Sequence, residues 1–338
     1  MKKRLLAGLL SASMVVLALT GCGVKDNSTT GSSTTGSSNT ETEGKIYRIG
    51  INQLVEHDAL DASYKGFVDA LAEAGYVEGK NLELDYQVAQ GDMSTAGTIA
   101  TKQVNDKPDL ILSIATPSAQ AVVNATKDIP VLVTAVTDPA SAGLVASNEA
   151  PGGNVSGTSD LTPVKKQIEL LKQLIPDAKK IAVLYSSSEV NSVVQADLAK
   201  AAGKELGIEV IDSTVSNSNE IQQVVQSLVG KVEAIYAPTD NLIASAMSTV
   251  AQVANANNLP VICGEGGMVD KGGLATYGID YYELGVLTGK QAVKILEGTA
   301  TTADMPIEYL PDEKCTLQIN SEVAKQLGII IPEELQSN

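Results

Sequence analysis

From Lys45 onward, short apolar segments of strand length alternate with longer segments that carry apolar residues at helical spacing. That rhythm leaves few architectures open, because strands that alternate with helices pair in parallel under helical layers. The clearest unit is Asp109–Gln120: Leu110-Ile111-Leu112 reads as a buried strand entered through Lys107-Pro108-Asp109, and it runs into a helix through Ala115-Thr116-Pro117-Ser118. Thr116 reads as an N-cap and Pro117 as the first helical residue, where a missing N–H costs nothing. The free amides of that turn would point out of the carboxyl end of the sheet, a setting that favours a carboxylate or phosphate by about 0.3–1 kcal/mol. A capped helix with nothing bound satisfies the same residues, so the motif alone does not decide.

The pattern runs twice. Strands are predicted over Lys45–Asn52, Asn81–Val88 and Val131–Val136, with helices over Ala59–Gly75 and Thr95–Asn105. Ala150-Pro151-Gly152-Gly153-Asn154 interrupts, Val155–Ser159 crosses into a second series, and Thr162-Pro163 repeats the cap-plus-proline device before a helix with Val164, Ile168, Leu171 and Ile175 on one face. Strands at Lys180–Tyr185, Ile208–Ser213, Ala234–Ala237 and Val261–Cys263 then alternate with helices at Val190–Leu206, Asn219–Val229 and Leu242–Asn257. The tail (strands Gly273–Ile279, Ile307–Leu310 and Thr316–Ile319; helices Glu283–Gly298 and Ser321–Leu327) is too long for an appendage and too short for a third domain. The predicted fold is α/β: two doubly wound parallel-sheet lobes joined by three crossovers. Residues 45–158 with 283–310 form the first lobe, and 159–282 with 311–335 the second. A ligand then lies between the carboxyl ends of the two sheets.

Residues Met1–Cys22 stand apart. Lys2-Lys3-Arg4 precedes an apolar core over Leu5–Leu19, and Leu19-Thr20-Gly21-Cys22 closes it. This ending resembles the lipobox of bacterial lipoproteins, which implies cleavage before Cys22 and lipid on its sulfur and new amino terminus. An ordinary signal peptide or a membrane helix competes, although the apolar run is short of the roughly 20 residues a span needs. Gly23 to Gly44 is nearly all Ser, Thr, Gly and Asn, a composition expected to form a flexible linker. Together they place the folded part outside the cytoplasm, anchored to the cell membrane by lipid at Cys22.

Composition removes other classes. The formal charge of -16, with no basic run, disfavours nucleic acid as a partner, and one Phe with no Trp leaves few stacking platforms. A single histidine argues against a histidine-based metal site. Cys263 and Cys315 either pair in an oxidising exterior or, with Cys263 in a strand-like run, stay apart with Cys263 buried. The first strand leads into Asn52-Gln53-Leu54-Val55, not a dinucleotide-binding glycine turn. No phosphate-binding loop with a lysine occurs, and no Gly-x-Ser-x-Gly elbow. A Ser–His–acid triad would have to use His57, and a carboxylate pair acting on a glycoside stays open.

If the lobes face each other, the loops after the strands line one cleft. They supply Gln53, Glu56 and His57; Ala115, Thr116 and Ser118; Thr137 and Asp138; Ser159 and Asp160; Ser186–Asn191; Thr239, Asp240 and Asn241; Glu265; and Tyr277, Asp280 and Tyr281. Hydroxyls, amides and carboxylates without a central lysine or arginine suit a small zwitterion, its carboxylate on helix amides and hydroxyls and its ammonium on a desolvated carboxylate, for which Glu265 is the leading candidate. Each residue also has a plainer reading: Asp240 as a helix cap, Asp138 in a strand-ending turn, Glu56 and His57 solvated at a helix start, Tyr277 and Tyr281 packed at a crossing.

Gln53-Leu54-Val55-Glu56-His57-Asp58-Ala59-Leu60-Asp61, Thr116-Pro117-Ser118-Ala119-Gln120, Thr134-Ala135-Val136-Thr137-Asp138-Pro139, Tyr236-Ala237-Pro238-Thr239-Asp240-Asn241, Gly264-Glu265-Gly266-Gly267 and Thr276-Tyr277-Gly278-Ile279-Asp280-Tyr281 together resemble one family. It is the ABC-transporter substrate-binding lipoproteins of the type I periplasmic-binding fold, in the branch with tryptophan- and tyrosine-binding members. The resemblance implies a monomer without cofactor or reaction that captures an amino acid, expected to be an aromatic one such as tryptophan, phenylalanine or tyrosine. The protein would close on it by hinge motion and deliver it to a permease with its ATPase. An enzyme on the same scaffold, or a receptor that signals without transport, are the competing readings.

Overall fold

The computed structural model describes residues 44–336; the leader, Cys22 and the tract up to Glu43 lie outside them. The chain builds two six-stranded sheets. The first contains β1 (Tyr47–Gln53), β2 (Leu82–Val88), β3 (Leu110–Ile114), β4 (Val131–Val136), β5 (Val155–Ser159) and β11 (Glu308–Tyr309) in the order β11-β5-β4-β3-β1-β2, parallel throughout. The second contains β6 (Lys180–Ser186), β7 (Glu209–Val215), β8 (Ala234–Ala237), β9 (Val261–Cys263), β10 (Ala275–Gly278) and β12 (Thr316–Ile319) in the order β12-β10-β9-β8-β6-β7. β12 runs antiparallel to β10, with Thr316 opposite Gly278. The last crossing explains it: the chain leaves the carboxyl end of β11 and arrives at the carboxyl end of the second sheet, so its next strand runs back.

All five residues of β3 and all six of β4 are buried, as strands covered on both faces must be. Each Leu, Ile or Val so placed contributes about 1.5–3 kcal/mol. Helices α1 (Asp58–Glu73) and α10 (Tyr281–Leu296) cover one face of the first sheet, and α2 (Met93–Asn105) and α3 (Thr116–Ala125) the other. On the second sheet, α4 (Val164–Leu174), α5 (Val190–Leu206) and α11 (Ser321–Gln326) cover one face. The short helices α7 (Asn241–Ser245) and α9 (Gly266–Asp270) join α6 (Ser218–Leu228) and α8 (Met247–Ala256) on the other.

Helices α1 and α10 meet backbone to backbone. A Cβ on Gly66 would lie 2.0 Å from the Tyr282 carbonyl oxygen, and one on Gly285 2.0 Å from that of Ser63. This contact brings the start of α10 back to the first lobe and seats Tyr281 at the junction, where Ser63 Oγ donates to its carbonyl oxygen.

Local chemistry corrects several expectations. The cap-plus-proline reading fails twice. Ala115, not Thr116, precedes α3, with Pro117 in its first turn and no side-chain cap. Thr162 lies before Pro163 with its hydroxyl buried and without a partner among the described residues. The single helix expected over Leu242–Asn257 is broken at Ala246 into α7 and α8. The glycine-rich run at Gly264–Gly267 begins a helix, because Glu265 accepts from the amides of Gly267 and Met268. Cys263, by contrast, is the buried free thiol that its strand-like run predicts.

Candidate functional site

Both sheets reverse their strand order at one point, between β1 and β3 in the first and between β6 and β8 in the second. Loops that follow such neighbours diverge to opposite faces and leave a crevice at the carboxyl ends. From the first lobe the crevice receives His57 and Leu60 after β1, and Ala135 and Thr137 in and after β4; Asp160 and Tyr281 come from the crossings. The second lobe contributes Asn191 from α5, Thr239, Asp240 and Asn241 after β8, Ala244 from α7, and Glu265 after β9. These twelve residues line a space in which the centre of a water can move over only about 10 Å³. That is room for about one water, so the lobes stand nearly closed.

The lining is acidic and dry. Asp160 is 4 % exposed; its Oδ2 accepts from the Tyr281 hydroxyl at 2.7 Å, while Oδ1 lacks a partner among the described residues. Burial pushes its carboxyl up to about 6, against the pull of the Tyr281 hydroxyl and, more weakly, of the nearby Thr137 hydroxyl. Glu265 is pushed up to about 7 by burial, its amide bonds opposing. His57 is pushed down to about 4, mainly by burial and helped by the charge of Lys271. At neutral pH the ring is therefore uncharged, and no lysine or arginine lines the cavity.

Asp240, in the lining, forms a buried carboxylate pair with Glu189 behind it. Asp240 Oδ1 accepts from the Ile243 amide and Oδ2 from the Ser186 amide and the Ser192 hydroxyl. Glu189 accepts from the amides of Asn241 and Leu242. Two acids thus satisfy the free N–H groups at the start of α7. Burial raises both pKa values, and the charge of Asp240 raises that of Glu189 further.

Among the described residues, three polar side-chain contacts join the lobes over the crevice: His57 Nε2 with Asn241 Oδ1 at 3.4 Å, Gln195 Nε2 donating to Thr137 Oγ1 at 3.4 Å, and an ion pair of Lys271 with Asp58 at 2.9 Å. A strand-end cavity split between two sheets, closed by such polar contacts, is a place to trap a small molecule. The family model described as ABC transporter substrate binding protein matches residues 48–338. The chain belongs to that family.

Its relatives agree with the geometry. This substrate-binding protein is 48% identical over 326 residues to a tyrosine-binding protein of Clostridioides difficile, covering 96% of this chain and 91% of that one. A Streptococcus pneumonia domain solved in complex with L-Trp is 41% identical, covers 86% of this chain and 98% of its own, and superposes with a TM-score of 0.83. A ligand-free, open structure of a substrate-binding protein with adhesive properties from Clostridium difficile is 50% identical, with coverage of 85% and 97% and a TM-score of 0.65. Substrate-binding proteins of ABC importers work outside the cytoplasm, and among the described residues no helix is long and apolar enough to cross a membrane.

Within this substrate-binding protein the sequence-predicted residues separate. His57, Thr137, Asp160, Asn191, Asp240, Asn241 and Glu265 line the cavity, as does Tyr281. The others turn elsewhere. Ser118 Oγ donates to the carbonyl and amide oxygens of Asn52, Gln53 Nε2 to Asp61 and the Val55 carbonyl, and Ser159 Oγ to the Thr137 carbonyl. Asp138 accepts from Ala140, Ser141 and Asn148, and Asp280 caps α10 through Tyr282 and Glu283. Glu56 is exposed, Thr116 is buried outside the lining, and Tyr277 packs against the core of the second lobe. Ala115 forms the turn into α3 at φ 82, ψ 150.

Leu60, Ala135 and Ala244 join the lining without having been expected there. Leu60 stands one helical turn after His57, a spacing that could have flagged it. Ala135 enters the lining because β4 is irregular between Val133 and Val136, with Ala135 at φ 53, and no sequence signal marks that. Gln195, one turn after Asn191 on α5, was within reach of the same reasoning.

Proposed function

We propose that this substrate-binding protein is the lipoprotein component of an ABC importer and captures an aromatic amino acid, tyrosine or tryptophan, between its lobes. The observation that carries the ligand reading is Asp160 Oδ1, a buried carboxylate oxygen that no protein donor meets in hydrogen-bond geometry, in an interlobe cavity free of lysine and arginine. A carboxylate so desolvated is matched by an ammonium group, whose charge replaces the missing partner. Glu265, the candidate from sequence, has both oxygens occupied by helix amides and plays the lesser part. Leu60, Ala135, Ala244 and the Tyr281 ring supply apolar wall for the side chain.

Capture proceeds by hinge closure about the three crossings at residues 160–163, 279–280 and 310–315, and the closed form presents both lobes to the permease. Two comparisons support this: the more identical relative, solved open and ligand-free, superposes worse than the L-Trp complex, as a different lobe angle requires. Cys22 carries the lipid, and the protein works as a tethered monomer without chemistry on its ligand. A calorimetric and thermal-shift panel of the proteinogenic amino acids on freshly purified protein tests the reading. Tyrosine or tryptophan is expected to raise Tm in a concentration-dependent way, with Asp160→Asn abolishing the shift. No shift with any aromatic amino acid at about millimolar concentration, far above the affinity range of a tight site, would sink it.

A further inference from the structure

Three polar atoms on residues that line the cavity lack a hydrogen-bond partner among the described residues: Asp160 Oδ1, Asn191 Oδ1 and His57 Nδ1. The last two share one orienting side chain outside the lining, Glu189, which acts on Asn191 together with the Thr239 carbonyl. Asn191 Nδ2 lies 3.2 Å from Glu189 Oε2 and 3.3 Å from the Thr239 carbonyl oxygen. Both demand the donor end of the amide, so the carbonyl end is left over. Asn241 Nδ2 lies 2.5 Å from the same Glu189 oxygen, which also accepts from the Asn241 backbone amide. Asn191 Nδ2 and the Asn241 backbone amide already make Oε2 an acceptor, so Asn241 presents its Nδ2 there and turns its own oxygen outward. That oxygen meets His57 Nε2. The neutral imidazole then carries its proton on Nε2, and Nδ1 is a bare lone pair.

We infer that Glu189 is a positioning residue that fixes the hydrogen-bonding sense of the cavity, turning Asn191 directly and His57 through Asn241 so that acceptors, not donors, meet the ligand. The inference deepens the amino acid reading and rests on it. A carboxylate, an amide oxygen and an imidazole nitrogen want donors, and a primary ammonium brings three N–H groups. A phenol or indole adds one more. Ligands that offer acceptors at these positions leave the cavity atoms unpaired and are rejected, as sites built for a hydrogen-bonding ligand reject analogues that lack the group.

The chain holds a single histidine, so its tautomer can be read without ambiguity. In ¹⁵N-histidine-labelled protein saturated with tyrosine or tryptophan at neutral pH, the ring is expected as the Nε2–H tautomer with Nδ1 shifted by ligand. Burial and Lys271 hold it neutral while the Asn241 hydrogen bond and Asp58 oppose, with Asp160, Asp240 and Glu265 across the cavity and Glu189 behind Asn241. Glu189→Gln places an amide donor against Asn191, Asn241 or Leu242; it is expected to weaken binding roughly tenfold or more and to change the tautomer population. Should that variant not fold, His57→Phe keeps a ring but loses the lone pair. It is expected to lose roughly tenfold in affinity while Tm holds. An Nδ1–H tautomer in the saturated wild type, or a His57→Phe affinity within about twofold, overturns the inference and leaves the ligand reading standing. Failure of every aromatic amino acid to bind overturns both.

Discussion

Asp160 holds one buried carboxylate oxygen without a hydrogen bond, at a cost to the fold. Its carboxyl is raised from 3.8 to about 6 by burial. A raised acid weakens the folded state as pH climbs from the unfolded value through the folded one; below about 3.8 it has no effect and above about 6 the full penalty. Asp160→Asn is therefore expected to stabilise the ligand-free protein at pH 8 by on the order of 1–3 kcal/mol, with the gain vanishing near pH 4. Urea titrations at the two pH values measure it, and a variant less stable at pH 8 would contradict the account. His57 acts with the opposite sign: its pKa falls from 6.5 to about 4, so its contribution is complete above pH 6.5 and is lost as pH drops toward 4. Ala115 carries a different cost, since φ 82 with ψ 150 is a region normally left to glycine. Ala115→Gly gives up a buried methyl but relieves about 1–3 kcal/mol of strain, so its stability should stay within about 1 kcal/mol of wild type. Ala119→Gly, inside α3, should cost about 1–2 kcal/mol by the same denaturation measurement.

Elements transmit these residue positions. α10 is pinned to α1 by glycine contacts that admit no side chain, and Tyr281 at its start donates to Asp160. Gly285→Ala would force a Cβ against the Ser63 backbone, and a destabilisation of roughly 2–3 kcal/mol is expected. Gly97, inside α2 with nothing within 4 Å of its added Cβ, is the matched control: Gly97→Ala should stabilise by about 0.5–1 kcal/mol. Equal effects at both positions in chemical denaturation would refute the packing argument. Element identity was legible in sequence where polar punctuation and apolar period agreed, as at β9 and α5, which match the predicted Val261–Cys263 and Val190–Leu206. It failed where a side chain decided the outcome, as when Glu265 nucleates α9 among glycines.

Across the whole molecule, closure is held by few polar contacts. The Lys271–Asp58 pair spans the lobes with side chains 31 % and 58 % exposed, so solvent screens it. Such a pair contributes roughly 0.2–1 kcal/mol, and Lys271→Ala is expected to weaken tyrosine or tryptophan binding by no more than about fivefold, less at high salt. Isothermal titration at two ionic strengths checks this; a loss that does not shrink with salt would assign Lys271 another role. An amino acid that pairs with the partnerless polar atoms between the sheets would supply most of the stabilisation of the closed form. Small-angle scattering should therefore show a smaller radius of gyration with tyrosine or tryptophan than without.

By itself the sequence determined the α/β architecture in two lobes, because strand and helix periods are local and each carries its own apolar face. It also pointed to the loops from which the cavity is drawn, since ligands of such sheets gather at the strand ends. Only the tertiary structure decided which loop residues face inward. Ser118, Gln53, Asp138 and Asp280 have the right chemistry and the right loops, yet spend their polar atoms on nearby backbone and side chains. Asp160, Asn191 and His57 keep an atom unspent because their neighbours, brought from the other lobe or another strand, leave them one. Which polar group is left without a partner is a property of the assembled contacts, and no run of residues encodes it locally.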